Sequence, residues 1–255
     1  EDYSNTKFRG SENLMDVLKH AGVQTSWYEN NTGSKGVAER IKLIDLQGAQ
    51  DKRYCEGGEC LDQILVDSLS KELSEVSGNT TIVLHMTGSH GPAYYRRYPA
   101  EFAGFKPDCR SNDFAKCSQE EIVNAYDNSI LYTDHILSEV VDLLKAHEDK
   151  FASAMIYMSD HGESLGEDGL YLHAAPYFIA PSQQTHIPFI TWFAPEYAAD
   201  TGLDLDCLRK TTAEPSSHDN LFHTVLGMMA VKTSAYDQKL DRFAACRTPH
   251  NVALN

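Results

Sequence analysis

Residues 155–176 read MIYMSDHGESLGEDGLYLHAAP. An apolar run ends at Met158, and Ser159, Asp160, His161, Gly162 and Glu163 follow at once. His173 comes twelve residues after His161. An apolar run of strand length that closes on an acid and an imidazole reads as a buried strand leading into a polar crevice. On an extended strand Asp160 and His161 would point to opposite faces. Both reach one ion only if the chain turns sharply, and Gly162 reads as the residue that permits the turn. A carboxylate beside an imidazole suits zinc, which accepts mixed oxygen and nitrogen ligands and takes further ones from elsewhere. His90 and His173, each beside a loop rich in glycine or proline, are the reserves. Taken alone, an Asp-His-Gly triplet reads first as a capped turn with a surface histidine; the three strand ends that meet here reverse that reading.

Working outward, SENLMDVLKHAG (11–22) reads as a short helix with a cap at Ser11 and a glycine stop. VQTSWY (23–28) reads as a strand. Leu61, Ile64, Leu65, Leu69, Leu73 and Val76 recur at helical spacing, and TIVLHM (81–86) after them is a second strand. Ser118 and Glu121 form a capping box ahead of a long helix whose apolar stripe runs through Ile122, Ala125, Tyr126, Ile130, Leu137, Val141 and Leu144. SAMIYM (153–158) and IPFITWF (187–193) are the third and fourth strands, and HDNLFHTVLGMMA (218–230) is a closing helix. Helices alternating with short, nearly continuous apolar strands predict an α/β protein, a mainly parallel sheet with helices on both faces. Ligand groups in such sheets collect beyond the carboxyl ends of the strands. Asp160-His161 lies at one such end, TGSHGP (87–92) with His90 at another, and WYENNTGSKG (27–36) with Asn31 and Lys35 at a third. Three strand ends therefore offer polar groups to one crevice.

The 255 residues are 42% hydrophobic and 23% charged, which fits one globular domain spanning 1–255. A net charge of −15 excludes a nucleic-acid binder and a polybasic membrane-surface module, both of which need a basic face. Apolar runs such as HIPFITWFAP fall far short of the roughly 20 residues of a membrane span. The sequence begins EDYSNTKFRGSENL, without the charged start and apolar middle of a signal peptide, so the targeting signal is expected outside this stretch.

The six cysteines are even in number, and four fall into two close pairs, Cys55 with Cys60 and Cys109 with Cys117. Their C-x₄-C and C-x₇-C spacings are poor zinc-knuckle spacings with no histidine beside them, so local disulfides are the better reading, leaving Cys207–Cys246 as the third. In the chain-entropy picture the short loops contribute roughly 2–3 kcal/mol each and the long one about 4. Three disulfides imply an oxidising compartment: periplasm, cell surface or secretory lumen.

Asn31 and Lys35 flank Gly33 and Gly36, and a lysine with an amide and exposed backbone donors suits a phosphate, although the loop is no Walker A motif and also reads as a solvated turn. Glu163 reads either as an acid supporting the site or as a cap. His20, His135 and His147 are surface residues of predicted helices. His85, inside an apolar strand, reads as a satisfied core histidine. His218 reads as a helix cap or, with Asp219, as a support for the site; His186, His223 and His250 belong to no constellation.

DHGESLGEDGLYLH (160–173), GSHGPAYYRRYP (88–99) and NAYDNSILYTDHIL (124–137) together resemble the lipid A phosphoethanolamine transferases. That family includes the mobilised colistin-resistance enzymes, within the alkaline-phosphatase and sulfatase-like fold. The resemblance runs from about residue 10 to about residue 246 and includes both close cysteine pairs, the Trp27–Lys35 loop and SHDNLFHTVLG (217–227). It implies a three-layer α/β/α catalytic domain at the periplasmic face of the Gram-negative inner membrane, joined to a membrane-spanning N-terminal region, and a monomer. It also implies zinc held by Asp160 and His161, with His90, His173, Asn31 and Lys35 lining the pocket for the phosphoethanolamine phosphate or an additional zinc. His173 and His90 would serve catalysis. The implied reaction is two-step: a threonine takes phosphoethanolamine from phosphatidylethanolamine, then passes it to a lipid A phosphate, giving polymyxin resistance. The family's nucleophilic threonine and zinc-binding glutamate have no match here and are expected before Glu1; Thr87, although beside His90, does not match the nucleophile's position. Two rival readings are a zinc phosphatase, phosphodiesterase or sulfatase-like hydrolase, and a binding domain without a nucleophile.

Overall fold

The computed structural model describes residues 10–173 and 175–248. Helix α1 (Leu14–His20) is capped by Asn13 rather than Ser11. The Asn13 side chain accepts from the N–H of Met15 at 2.9 Å and Asp16 at 3.4 Å, while the Asp16 carboxylate accepts from the Asn13 N–H at 2.8 Å. An acid three residues on completes a capping box for Asn13. Hydrogen bonding to Arg40 then holds the Asp16 carboxyl below the usual carboxylate range.

Strand β1 (Gln24–Glu29) runs parallel to β2 (Lys42–Asp45) on one side. A small hairpin, β3 (Cys55–Glu56) with β4 (Glu59–Cys60), leads into helix α2 (Gln63–Glu75). Strand β5 (Thr80–His85) then pairs in parallel with the other side of β1, Glu29 opposite His85. The long helix α3 spans Gln119–Lys145, starting at the capping box that Ser118 and Glu121 predict. After it come β6 (Ala154–Met158), the hairpin β7 (Ser164–Leu165) with β8 (Tyr171–Leu172), a single turn α4 (Ser182–Thr185) and β9 (Phe189–Phe193). Helices α5 (Pro195–Thr201), α6 (Leu205–Lys210) and α7 (Asp219–Met228) follow.

Strand alternation builds three layers. Ile82 and Leu84 of β5 pack with Val66, Leu69 and Leu73 of α2 and Ile136 and Val140 of α3. Val83, between them, faces the opposite side with Met15, Leu18 and Leu226 from α1 and α7. Side chains two apart share a face, so one apolar strand feeds both helical layers. Met155 of β6 and Trp192 of β9 join the α2–α3 cluster, which places both sheet pieces against one helical layer. The larger piece is parallel, in the order β2-β1-β5, but β9 runs antiparallel to β6. The chain between those two strands forms a hairpin and a single helical turn instead of the crossover helix typical of a parallel return.

The buried stripe of α3 differs from the predicted one. Ile130 is 43% exposed, and Asn128 and Ser129 turn inward instead. Asn128 accepts from the Phe105 N–H at 2.8 Å and donates to its carbonyl at 3.0 Å, and Ser129 bonds the Ser89 hydroxyl at 2.8 Å. The backbone groups of Phe105 have claimed the core-facing Asn128, and a hydroxyl pair with Ser89 has claimed Ser129. All three expected disulfides are present, Cys55–Cys60, Cys109–Cys117 and Cys207–Cys246, with no free cysteine among the described residues.

Asp62, just ahead of α2, is buried, and its side chain points inward rather than capping the helix. It accepts from the Asn30 side chain at 2.8 Å, the Thr87 N–H at 2.9 Å and the Gly88 N–H at 2.8 Å. Asn30 also donates to the Cys60 carbonyl at 3.0 Å. One carboxylate thus ties the ends of β1 and β5 to the start of α2. Burial pushes the Asp62 carboxyl up, and the three donors work against that rise. Replacing Asp62 with Ala strands these donors inside the protein, so a loss of about 3 kcal/mol or more in urea unfolding is expected. A loss within about 0.5 kcal/mol would contradict the assigned role.

Candidate active site

The three strand ends that the sequence singles out do not contribute equally. Beyond β5, Gly88 has a left-handed backbone (φ 55°) that turns the chain toward His90. The His90 carbonyl accepts from Arg97 Nε at 2.8 Å, and its Nδ1 lies 2.8 Å from the Gly91 carbonyl. Gly91 is glycine because of close approach: a Cβ there would lie 2.8 Å from Leu172 and 2.9 Å from Tyr94. The His90 loop therefore rests directly on the β7–β8 hairpin that carries His173.

Beyond β6 the chain bends at Asp160, but Gly162 is not the left-handed hinge that the sequence suggests. It too is glycine for space. A Cβ would fall 2.0 Å from the Gln183 carbonyl, and its N–H donates to the Gln184 carbonyl at 2.9 Å. His161 is held by Nδ1, 2.8 Å from the Gly162 carbonyl, while its Nε2 lies 3.7 Å from Asp160 Oδ1. His218 contributes a bond from Nε2 to the Ser159 carbonyl at 3.0 Å. It sits at the cap position of α7, yet its side chain supports the β6 end instead of capping the helix.

His173 follows Leu172, whose φ of 65° is unusual for a bulky residue and is fixed by packing against Tyr94 and Leu165. The His173 ring stacks on His161 with centroids 3.6 Å apart and meets His90 edge-on at 6.1 Å. Its Nδ1 lies 3.0 Å from Glu163 Oε1, and the Glu163 side chain is only 4% exposed. Glu163 is thus a buried acid that orients His173 and caps nothing. Burial, with the Glu163 charge adding to it, pushes the Tyr126 hydroxyl up to about 12 and also raises Tyr94, so both remain neutral walls. In all three imidazoles Nδ1 faces a carbonyl or carboxylate acceptor. That assigns the proton to Nδ1 and leaves the Nε2 lone pair for a ligand or an incoming proton.

The third strand end is built differently. Glu29, buried at the end of β1, accepts from Trp27 Nε1 at 2.9 Å, from the Asn31 N–H at 2.7 Å and from the Gly33 N–H at 3.3 Å, and its Oε2 lies 2.7 Å from His85 Nδ1. His85 is therefore satisfied, as expected. The Thr32 N–H bonds the Asn31 side chain at 2.8 Å, so the backbone donors of Asn31, Thr32 and Gly33 are bonded within the loop and its β1 neighbour. Asn31 donates to the Met86 carbonyl at 3.0 Å, which joins the loop to the β5 end, and Lys35 folds back onto Thr32 at 2.7 Å. The Thr87 hydroxyl is spent on the Asn30 carbonyl.

Asp160 and His161 form a carboxylate–imidazole pair, 82% and 35% exposed at the side chain, with oxygen and nitrogen donors adjacent. That donor set suits zinc as two ligands of an incomplete shell. Among the described residues no group of three or more His, Cys, Asp or Glu side chains is placed to hold a metal ion. A surface depression of about 410 Å³ lined by Glu12, Asp16, Lys19, His20 and Arg40 borders none of these groups. His250 lies outside the described residues. Sequence reading missed the parts played by Asp62 and Glu29: each looks like an ordinary acid at an element end, and only the fold shows the donors around it.

The sulfatase family model matches residues 1–231. Phosphoethanolamine transferase EptA of Salmonella typhimurium is 42% identical over 237 residues, covering 92% of this chain and 43% of that protein. Phosphatidylethanolamine transferase Mcr-2 of Escherichia coli is 39% identical over 223 residues, 83% of this chain and 41% of that protein. The crystal structure of the soluble domain of lipooligosaccharide phosphoethanolamine transferase A from Neisseria meningitidis superposes with a TM-score of 0.93 at 43% identity, covering 97% of this chain and 75% of that one. The chain belongs to the sulfatase family, in its phosphoethanolamine transferase branch, and has the alkaline-phosphatase and sulfatase-like fold. It spans less than half the length of the curated relatives it matches.

The Glu29 cluster carries a pH signature. Burial alone would raise its carboxyl, but the bonds from His85, Trp27 and Asn31 outweigh it and hold the group below the ordinary 4.5. The unfolded chain then binds the proton more readily, so this contribution is present above about pH 4.5 and is lost as pH falls through the lower folded value. Urea midpoints measured from neutral pH down into that acid range should fall further for the native chain than for Glu29→Gln; parallel curves would contradict the assignment.

Proposed function

We propose that this chain carries the metal-binding and imidazole half of a site that transfers phosphoethanolamine from phosphatidylethanolamine to a lipid A phosphate. We place it at the periplasmic face of the Gram-negative inner membrane. The observation that carries the reading is the stack of His161 and His173 beside Asp160, with His90 edge-on and, among the described residues, no hydrogen bond at Nε2 of any of the three rings. The names of the relatives support phosphatidylethanolamine as donor and a lipooligosaccharide as the class of acceptor, and the three disulfides support an oxidising compartment. Among the described residues no helix is long and apolar enough to cross a membrane, and attachment to the bilayer is assigned to residues outside this chain.

Asp160 and His161 would hold zinc, which when bound supplies positive charge to phosphoryl oxygens and lowers the pKa of a coordinated hydroxyl. The chain's own groups do the rest. His173, its Nδ1 fixed by the Glu163 carboxylate, presents Nε2 to the crevice; there it can take up the proton released by the attacking hydroxyl and deliver it to the departing diacylglycerol oxygen. General acid catalysis of this kind is worth about 10²–10⁴-fold. His90, fixed through the Gly91 carbonyl, presents to the crevice a second Nε2, which donates to a phosphoryl oxygen once it takes up a proton. Asn31 and Lys35 complete the phosphate side once Lys35 leaves Thr32, and a positioned donor in such a site contributes about 3 kcal/mol.

The attacking threonine and a further carboxylate ligand are assigned to residues outside this chain. The sheet supports this. β5 and β6, whose ends carry His90 and Asp160-His161, pack on the same helices but belong to separate sheet pieces, and each pairs along one edge only among the described residues. A further strand can take up the other edges, and a strand lying there would end between His90 and Asp160.

The test is a lipid A mass spectrum from polymyxin-challenged cells expressing the complete parent reading frame, beside its Asp160→Ala and His161→Ala variants. A phosphoethanolamine adduct is expected with the parent and with neither variant. No adduct from a well-expressed parent, or an adduct undiminished in both variants, would overturn the reading. Release of free phosphoethanolamine without an acceptor would assign a hydrolase instead.

A further inference from the structure

Half of the exposed large apolar side chains among the described residues lie in ten consecutive positions that bracket His173. They are Leu170, Tyr171, Tyr177, Phe178 and Ile179, out of ten in all. The last three are 86%, 85% and 60% exposed, side by side. A contiguous exposed patch of this kind is uncommon on a protein surface and marks an interaction site. Its chemistry is narrow. From Gly169 to Pro195 the sequence holds no Asp, Glu, Lys or Arg, in a chain that is 23% charged.

The tip is also preformed and anchored. It lies between Pro176 and Pro181, and the Pro176 carbonyl accepts from the Ile179 and Ala180 N–H groups, both at 2.9 Å, closing a tight turn. On the upstream side it continues from His173. Downstream it runs into α4, where the Gln184 carbonyl accepts from the Gly162 N–H at 2.9 Å and Gln184 Nε2 donates to Ser164 at 2.8 Å. Both ends are therefore pinned to the candidate active site, and the apolar tip projects from its rim.

We propose that the Tyr177-Phe178-Ile179 tip inserts into the interfacial layer of a neutral phospholipid bilayer and seats the crevice on the membrane that holds its lipid substrates. The net charge of −15 rules out attraction to an acidic surface as the docking force, leaving apolar insertion. Two aromatic rings and one aliphatic side chain on an uncharged loop match that layer, where rings are favoured and charges are costly. The placement explains how a site beyond a sheet edge meets a headgroup that never leaves the membrane. The inference rests on the lipid reading of the site, but its test does not use transfer.

The experiment is flotation of this chain with neutral vesicles of phosphatidylcholine and phosphatidylethanolamine, against a variant carrying Tyr177→Ser, Phe178→Ser and Ile179→Ser. The variant is expected to lose about tenfold or more in partition, with its melting temperature unchanged because the three side chains face solvent. The Asp160→Ala/His161→Ala double variant should float like the native chain. A lost lipid A adduct with intact, loop-dependent flotation would therefore fail the active-site reading while leaving this one standing. Equal partition of native and triple-Ser chains, including no partition by either, would overturn the proposal. So would self-association in sedimentation equilibrium that the triple variant abolishes while flotation stays the same.

Discussion

A buried carboxylate at the start of α2, bonded to donors that follow two different strands, sets the architecture around the crevice. Asp62 has given up water for Asn30, Thr87 and Gly88, and that exchange succeeds only if all three donors arrive together. Their arrival fixes where β1 and β5 stop relative to each other and to α2. The His90 loop leaves from Gly88, so the position of that imidazole is inherited from Asp62. Glu29 does the same on the other side of the sheet for the Asn31–Lys35 loop. Both acids act on the site through backbone N–H groups and neighbouring side chains, and neither side chain contacts the three histidines.

The β6 end depends on shape more than on charge. Gly162 and Gly91 are glycine because a carbonyl on one side and Tyr94 and Leu172 on the other occupy the space a Cβ would need. These two close approaches seat the His161 bend on the α4 turn and the His90 loop on the β7–β8 hairpin, after which His173 stacks on one ring and meets the other edge-on. A larger residue at either glycine would separate the rings before it touched any of them. Stability and site geometry are thus coupled at the same two positions.

Much of this was legible in the sequence because it follows from local rules. Alternating apolar strands gave the layers, Ser118 and Glu121 marked the start of α3, and cysteine spacing marked the pairs. The placement of His90 beyond β5 and of Asp160 and His161 beyond β6 followed from the α/β pattern itself. The rest depends on partners distant in sequence. Nothing in WYENN shows that Glu29 will collect His85, and nothing beside Leu61 shows that Asp62 will turn away from its helix toward Thr87. Gly162 was assigned to a turn because glycine usually supplies one; the Gln183 carbonyl that excludes a side chain lies on an element the local sequence does not reveal. Asn128 and Ser129 displaced the expected α3 stripe for the same reason: their bonds to Phe105 and Ser89 are tertiary.

The central claim is that His90, His161 and His173 each carry the proton on Nδ1 and offer Nε2 to one shared crevice. The most direct measurement is a long-range nitrogen–proton correlation NMR spectrum of the histidine rings at a pH where they are neutral, assigned by single His→Gln substitutions. The account predicts the Nδ1–H tautomer for all three, with His161 and His173 ring protons close enough to show mutual dipolar contacts. An Nε2–H tautomer at any of the three, or no contact between His161 and His173, would contradict it.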